Sequence, residues 1–193
     1  SMIGMAACLA YLHKNRIIHR NFSPYQVYFD DHFYPKVAGF EQSIIVDANQ
    51  PFDKLFLKLN EEIGTSMYMP PEFIENDDEH YSSAIDMFSF ALSVYELFSL
   101  KFPFNFKNPI RIISAIVVNE RPNAQEIPNK ELASLIQLCW DATPSKRPTF
   151  QAFLETVVPN KEFWPDDADE NEFYQYLQYI GLDPSTGKFV SSE

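Results

Sequence analysis

The chain has 193 residues, of which 46% are hydrophobic and 16% aromatic, and this is enough for one domain with a single buried core. Its 27 acidic and 15 basic residues give a formal net charge of −12. That charge repels a nucleic-acid backbone and no local basic patch offsets it, so we expect no nucleic acid among the partners.

Two cysteines, Cys8 and Cys139, lie far apart and form neither a CxxC motif nor a Cys/His cluster, which argues against a disulfide framework and a zinc site. The longest apolar stretch, residues 87–100, contains Glu96 and is shorter than the roughly 18 residues that a membrane-spanning helix needs. The N-terminus has no basic segment of the kind that opens a signal peptide. We therefore expect a cytoplasmic protein with no membrane partner.

The predicted elements begin with an amphipathic helix at residues 2–14, where Met5, Leu9 and Leu12 recur at helical spacing. Residues 27–29 and 35–37 are predicted to pair as two short strands, and this is the only strong strand signal. Residues 39–72 have little periodicity and contain several turn residues, which is typical of a long irregular segment, often a functional one.

The second half of the chain is predicted to be mostly helical. Helices are expected from a cap at Ser82 or Ser83 to about residue 99, and then at residues 109–119, 131–140 and 149–157. After Pro159 an acidic linker leads to a short aromatic helix that should stop near Gly181. We expect this tail to dock on the domain through its aromatic residues, with docking on a partner as the alternative.

Five sequence motifs follow one another in the order and at the spacing of the protein kinase signatures. IIHRNFSPYQV resembles the catalytic loop, usually H-R-D-L-x-x-x-N, and KVAGFEQS resembles the K-x-x-D-F-G region. GTSMYMPPE is similar to the end of the activation segment, and SSAIDMFSFALSVYEL to the central helix of the C-terminal lobe (C-lobe). LIQLCWDATPSKRPTF is similar to the C-terminal signature of the tyrosine-kinase and tyrosine-kinase-like branch.

This resemblance implies a protein kinase-like fold, C-lobe only, that is mainly α-helical with a small β-hairpin. The lobe is expected at residues 1–158, and an acidic, aromatic tail at residues 159–193. The sequence has no glycine-rich loop and no V-A-x-K strand, so the N-lobe is expected to be absent. Because the family binds ATP between its two lobes, high-affinity nucleotide binding is not expected.

The positions that carry phosphoryl transfer in the family have lost their functional groups. The catalytic-loop aspartate, a general base, is matched by Asn21, whose carboxamide has no useful basicity. The magnesium-holding asparagine is matched by the longer Gln26, and the D-F-G aspartate by Gly39, which has no side chain. Ser23 stands where serine/threonine kinases usually place a lysine that contacts the transferred phosphoryl group. The resemblance thus implies an inactive domain with no ATP or magnesium cofactor.

Other matched positions have architectural roles in the family. His19 is expected to pack against Phe40, and Asp86 to hold the backbone of the catalytic loop. Glu72 and Arg147 are expected to form a partly buried ion pair that stabilises the lobe.

Arg20 matches an arginine that in many kinases binds a phosphate on the activation segment. The hydroxyls that could carry such a phosphate belong to Ser43, Thr65, Ser66 and Tyr68. The other interpretation is a solvated arginine with a nearby carboxylate.

The sequence therefore predicts a pseudokinase C-lobe that binds protein partners as an interaction or regulatory scaffold in signalling. The alternative is a divergent protein kinase fragment that transfers phosphate from ATP to protein Ser, Thr or Tyr, with ATP and magnesium as cofactors. In that alternative Glu41 would replace the acid missing at Gly39. A Glu41 carboxylate beside Gln26 in the cleft favours the enzyme, and one facing solvent favours the scaffold. A decayed fragment without independent function is the third possibility.

Overall fold

The computed structural model describes residues 1–52, 55–56, 66–75, 80–105, 108–165 and 168–190. Within these residues the chain is mainly helical, as predicted. The helices are α1 (Met2–Lys14), α2 (Pro71–Glu75), α3 (Ala84–Ser99), α4 (Pro109–Val117), α5 (Lys130–Cys139), α6 (Phe150–Val157) and α7 (Glu170–Tyr179).

The described strands form three antiparallel pairs of two strands each. The predicted hairpin is confirmed: β2 (Val27–Phe29) pairs with β3 (Pro35–Val37). Two further pairs gave no strong signal in the sequence: β1 (Ile17–Ile18) pairs with β4 (Ile44–Ile45), and β5 (Leu55–Phe56) pairs with β6 (His80–Tyr81). These strands have two residues each, which is too short for an alternating pattern to be visible in the sequence.

Side chains that accept backbone N–H groups fix where several helices begin. The Asn108 side chain accepts the Ile110 N–H ahead of α4, where Pro109 supplies the first helical residue. Asn129 does the same for α5 and Thr149 for α6. α3 ends where Leu100 adopts a left-handed conformation with a φ of +56°.

The core lies around α3, whose Phe88, Phe90 and Leu92 are fully buried. α1 packs against α6, and α5 packs against α3. The rings of Phe150 and Phe153 on α6 meet Phe90 edge-on at 5.3 Å and 5.2 Å. α3 therefore packs against α5 and α6, and its first turn contacts the loop that follows β1.

The described part of the tail packs on this lobe. Leu177 and Leu182 are buried, and the Tyr34 ring lies 4.6 Å from the ring of Tyr176. A Cβ atom placed on Gly4 of α1 would lie 1.8 Å from the Tyr176 hydroxyl, so glycine is what lets the tail helix approach α1 so closely. Asp166 and Asp167 of the acidic linker lie outside the described residues.

None of the helices within the described ranges is long and apolar enough to span a membrane. Cys8 and Cys139 are both free thiols.

Candidate functional site

The loop at residues 19–26 runs from β1 to β2, and Asp86 in the first turn of α3 holds its backbone. The Asp86 carboxylate is 1% exposed and accepts the backbone N–H groups of His19 and Arg20, each at 2.8 Å. It also lies 2.9 Å from Nε2 of His13 on α1. One buried carboxylate thus ties α1, the loop and α3 together. The sequence analysis did not single out His13, since nothing in the local pattern places it beside Asp86.

The contacts of the His19 ring are those of a structural residue. It is fully buried, and its Nε2 donates to the carbonyl oxygen of Ala38 at 2.8 Å. Its centroid lies 5.2 Å from that of Phe40, so the expected pair of rings is in contact. The other ring nitrogen accepts the Asn21 N–H at 3.3 Å, which leaves neither nitrogen for proton transfer.

Gln26 and Gly39 face each other at the end of the β2–β3 hairpin. Gly39 has a left-handed φ of +78°, which glycine adopts without strain. A Cβ atom added to it would lie 2.1 Å from Oε1 and 2.4 Å from Cδ of Gln26. The Gln26 amide therefore occupies the space that any side chain at position 39 would need.

Three further polar side chains belong to this region. Ser23 is buried, and its hydroxyl has no hydrogen-bond partner in the described part of the chain. Asn21 is partly exposed and neutral. Glu41, in the 3-10 turn Phe40–Gln42, is exposed to solvent.

Glu72 and Arg147 form a bidentate ion pair. The two Arg147 terminal nitrogens donate to the two Glu72 oxygens at 2.6 Å and 2.8 Å, and Arg147 is only 6% exposed. Arg147 also donates to the carbonyl oxygens of Ala84 and Asp141. The pair thus joins α2, α3 and the turn ahead of α6.

The candidate phosphate acceptors differ in accessibility. Tyr68 is 2% exposed and donates to the Glu96 carboxylate, and burial and Glu96 raise the pKa of its phenol. The Ser43 hydroxyl donates to the carbonyl oxygen of His19 at 3.3 Å. Thr65 lies outside the described residues, and for Ser66 only the backbone is described, in a 3-10 turn. The guanidinium carbon of Arg20 lies 6.0 Å from the Phe73 ring.

A groove of about 970 Å³ opens between the end of α3, the loop before α4 and the loop before α5. Leu97, Leu100 and Phe102 contribute exposed apolar surface to it, and Glu120 and Glu126 contribute carboxylates. Sequence reasoning missed this groove. Its one sequence signal is the cluster of Leu100, Phe102 and Phe104 around Pro103, directly after α3 ends at Ser99.

Comparison with known proteins identifies the family to which these motifs belong. The family model described as the protein kinase domain matches residues 1–158. The chain belongs to the protein kinase family. The serine/threonine-protein kinase STY17 of Arabidopsis thaliana is 30% identical over 148 residues, which are 76% of this chain and 24% of that protein.

Two further kinases have similar identity. The human receptor-interacting serine/threonine-protein kinase 1 is 29% identical over 172 residues, covering 78% of this chain and 24% of that protein. The putative serine/threonine-protein kinase/receptor R826 of Acanthamoeba polyphaga mimivirus is 29% identical over 167 residues, covering 86% of this chain and 9% of that protein. The chain therefore spans a quarter or less of the length of these three kinases.

Kinases bind magnesium through carboxylate and amide oxygens, and the residues of this kinase domain do not fit that metal. Gly39 supplies no side-chain oxygen, and Gln26 turns its amide over Gly39. Among the described residues no group of three or more His, Cys, Asp or Glu could hold a metal ion. Position 39 of this kinase scaffold thus lacks the metal-binding carboxylate.

Proposed function

We propose that this kinase domain is catalytically inactive and acts as a protein-interaction or regulatory scaffold. One observation carries the proposal: at the position of the metal-binding aspartate stands Gly39, and the Gln26 amide occupies the space above it. The C-terminal run CWDATPSKRPTF favours a place in the tyrosine-kinase-like branch.

The size of the expected loss in phosphoryl-transfer rate follows from the groups that are missing. A positioned general base contributes about 10²- to 10⁴-fold to a rate, and Asn21 offers no base in its place. The metal neutralises charge on the transferred phosphoryl group, and no carboxylate stands at position 39 to hold it. The two losses act on one transition state and are not additive, yet together they remove the main contributors to transfer.

The position of Glu41 counts against the enzyme alternative. Its side chain lies in solvent, whereas a substitute metal ligand would have to lie beside Gln26 in the cleft. The contacts of Asp86, and those of the Glu72–Arg147 pair, are by contrast intact. The residues that hold the fold have been kept and those that perform transfer have not, which favours a scaffold.

The surface we propose for partner binding is the groove at the end of α3. Its exposed Leu100 and Phe102 supply apolar area, and Glu120 adds an exposed carboxylate at the edge. The whole chain carries a net charge of −12, which steers cationic partners toward the chain as a whole. Lys101 and Arg121 also line the groove, and Lys101 pairs with Glu126, so Glu120 is the carboxylate we propose for the contact. The proposed occupant is a protein segment that combines Lys or Arg with aliphatic or aromatic side chains.

A phosphotransfer assay tests the inactive assignment. This chain, and any longer natural form that contains it, is incubated with radiolabelled ATP, magnesium and a mixed protein substrate. We expect no incorporation by the native sequence or by Asn21→Asp, because a restored base still lacks the metal. Incorporation that is abolished by Glu41→Gln would establish the enzyme alternative instead.

Peptide binding tests the groove. A fluorescent 15-residue peptide of Lys, Arg, Leu and Phe is titrated by anisotropy against the native chain, Leu100→Ser and Phe102→Ser. We expect each substitution to weaken binding by about tenfold, and Leu138→Ser, an exposed site on α5 outside the groove, to leave it unchanged. Equal binding of an acidic peptide of the same length would contradict the proposed occupant.

A further inference from the structure

The backbone fixes the distance between Gln26 and Gly39. In the β2–β3 ladder Val27 lies opposite Val37, and the next rung is the Ala38 N–H, which donates to the carbonyl oxygen of Gln26 at 2.8 Å. Gly39 directly follows that rung. The two Cα atoms therefore cannot separate without breaking the ladder, and the Gln26 side chain is the one adjustable part of the contact.

The length of the Gln26 side chain decides what fits above Gly39. Its Cγ would lie 3.0 Å from a Cβ at position 39, its Cδ 2.4 Å and its Oε1 2.1 Å, so the overlap grows toward the terminal amide. All three distances are shorter than a carbon–carbon or carbon–oxygen contact allows. Asparagine lacks one methylene, and its amide would end before the region of greatest overlap.

We propose that Gln26 and Gly39 form a matched pair that closes the family's divalent-cation position in this chain. The inference rests on the proposed loss of phosphoryl transfer. It adds a second physical reason why a cation would not bind, beyond the missing carboxylate. With the amide in its observed place a side chain at position 39 has no room, so the amide must move before one fits. A carboxylate restored at position 39 alone meets the Gln26 amide where the cation should lie.

The backbone itself does not oppose an aspartate at position 39. Its φ of +78° lies in the left-handed region, where Asp and Asn are the most tolerated residues after glycine. The obstacle is the Gln26 side chain. Shortening Gln26 and adding the carboxylate together should therefore rebuild a cation site that neither change rebuilds alone.

The experiment measures Mn²⁺ binding by electron paramagnetic resonance, together with the thermal midpoint Tm, on the intact chain. The variants are Gly39→Asp, Gln26→Asn and the double variant. We expect the double variant to bind Mn²⁺ at least about tenfold more tightly than Gly39→Asp. We expect Gly39→Asp alone to lower Tm by roughly 2–6 °C through overpacking. A second double variant, Gln26→Asn with Gly39→Asn, has the same shape without the carboxylate and should not gain Mn²⁺.

A second comparison isolates the steric contribution from charge. Gly39→Ala is made in the native chain and in a Gln26→Ala background, where the backbone cost of alanine at position 39 is the same. We expect a larger fall in Tm in the native background. Equal falls, or a Gly39→Asp variant that binds Mn²⁺ as tightly as the double variant, would overturn the pairing. Phosphotransfer by the native chain would instead overturn the proposed function, so the two failures are distinguishable.

Discussion

Replacing Asp86 with alanine should be among the most destabilising single changes in the lobe. The carboxylate is 1% exposed and accepts two backbone N–H groups at 2.8 Å beside the His13 contact at 2.9 Å. Alanine leaves the N–H groups of His19 and Arg20 without an acceptor, and each buried donor left unpaired costs about 1–3 kcal/mol. The expected loss is therefore about 2–6 kcal/mol, a large fraction of the roughly 5–15 kcal/mol that stabilises a domain.

Urea unfolding followed by tryptophan fluorescence measures this loss. With a slope of about 2 kcal/mol per molar urea, the midpoint should fall by roughly 1–3 M. Asp30→Ala is a matched control, because the Asp30 carboxylate also accepts two backbone N–H groups, from His32 and Tyr34, but does so in a turn that water reaches. We expect a much smaller shift there. Equal midpoints for the two variants would refute the buried-carboxylate argument.

Three further predictions concern other contacts. Glu72→Gln should cost about 3–5 kcal/mol in urea unfolding because it leaves the buried Arg147 charge uncompensated, whereas Glu72→Leu with Arg147→Met should cost less than either single change. Gly4→Ala should lower Tm because its Cβ meets the Tyr176 hydroxyl, and Tyr176→Phe should recover part of that loss; a fall unaffected by Tyr176→Phe would contradict the contact. Hydrogen bonds from Ser185 lower the pKa of Asp183 below its usual 3.8. Its ionised form therefore stabilises the fold above that pH, and the stabilisation is lost as the pH falls through the lowered pKa. The Tm advantage of the native chain over Asp183→Asn should accordingly shrink in acid, and a constant difference down to pH 2 would contradict this.

The parts of the fold that depend on local signals could be predicted from the sequence. The periodicity of residues 2–14 and the Asn108–Pro109 start of α4 belong to single segments, and the structure places helices there. The β1–β4 pair could not be predicted, because Ile17 and Ile45 become partners only through the folded loop between them. α2 has five residues, which is too short for a periodic pattern.

The candidate site could also be predicted only in part. The resemblance to the kinase motifs identified Gln26 and Gly39 separately, as positions with altered residues. That the Gln26 amide lies above Gly39 depends on the register of the β2–β3 ladder and on one side-chain rotamer. The exposure of Leu100 and Phe102 likewise follows from where α3 ends and α4 begins, which residue types alone do not determine.

We propose above all that this kinase domain does not use magnesium and ATP. The most direct test of this proposal is isothermal titration of the chain, and of any longer natural form that contains it, with ATP in the presence and absence of magnesium. We predict that magnesium adds nothing to ATP binding in either form, since Gly39 offers no ligand and Gln26 fills the space above it. ATP binding that strengthens with magnesium, and loses that gain in Gln26→Ala or Glu41→Gln, would contradict the account and establish a rebuilt metal site.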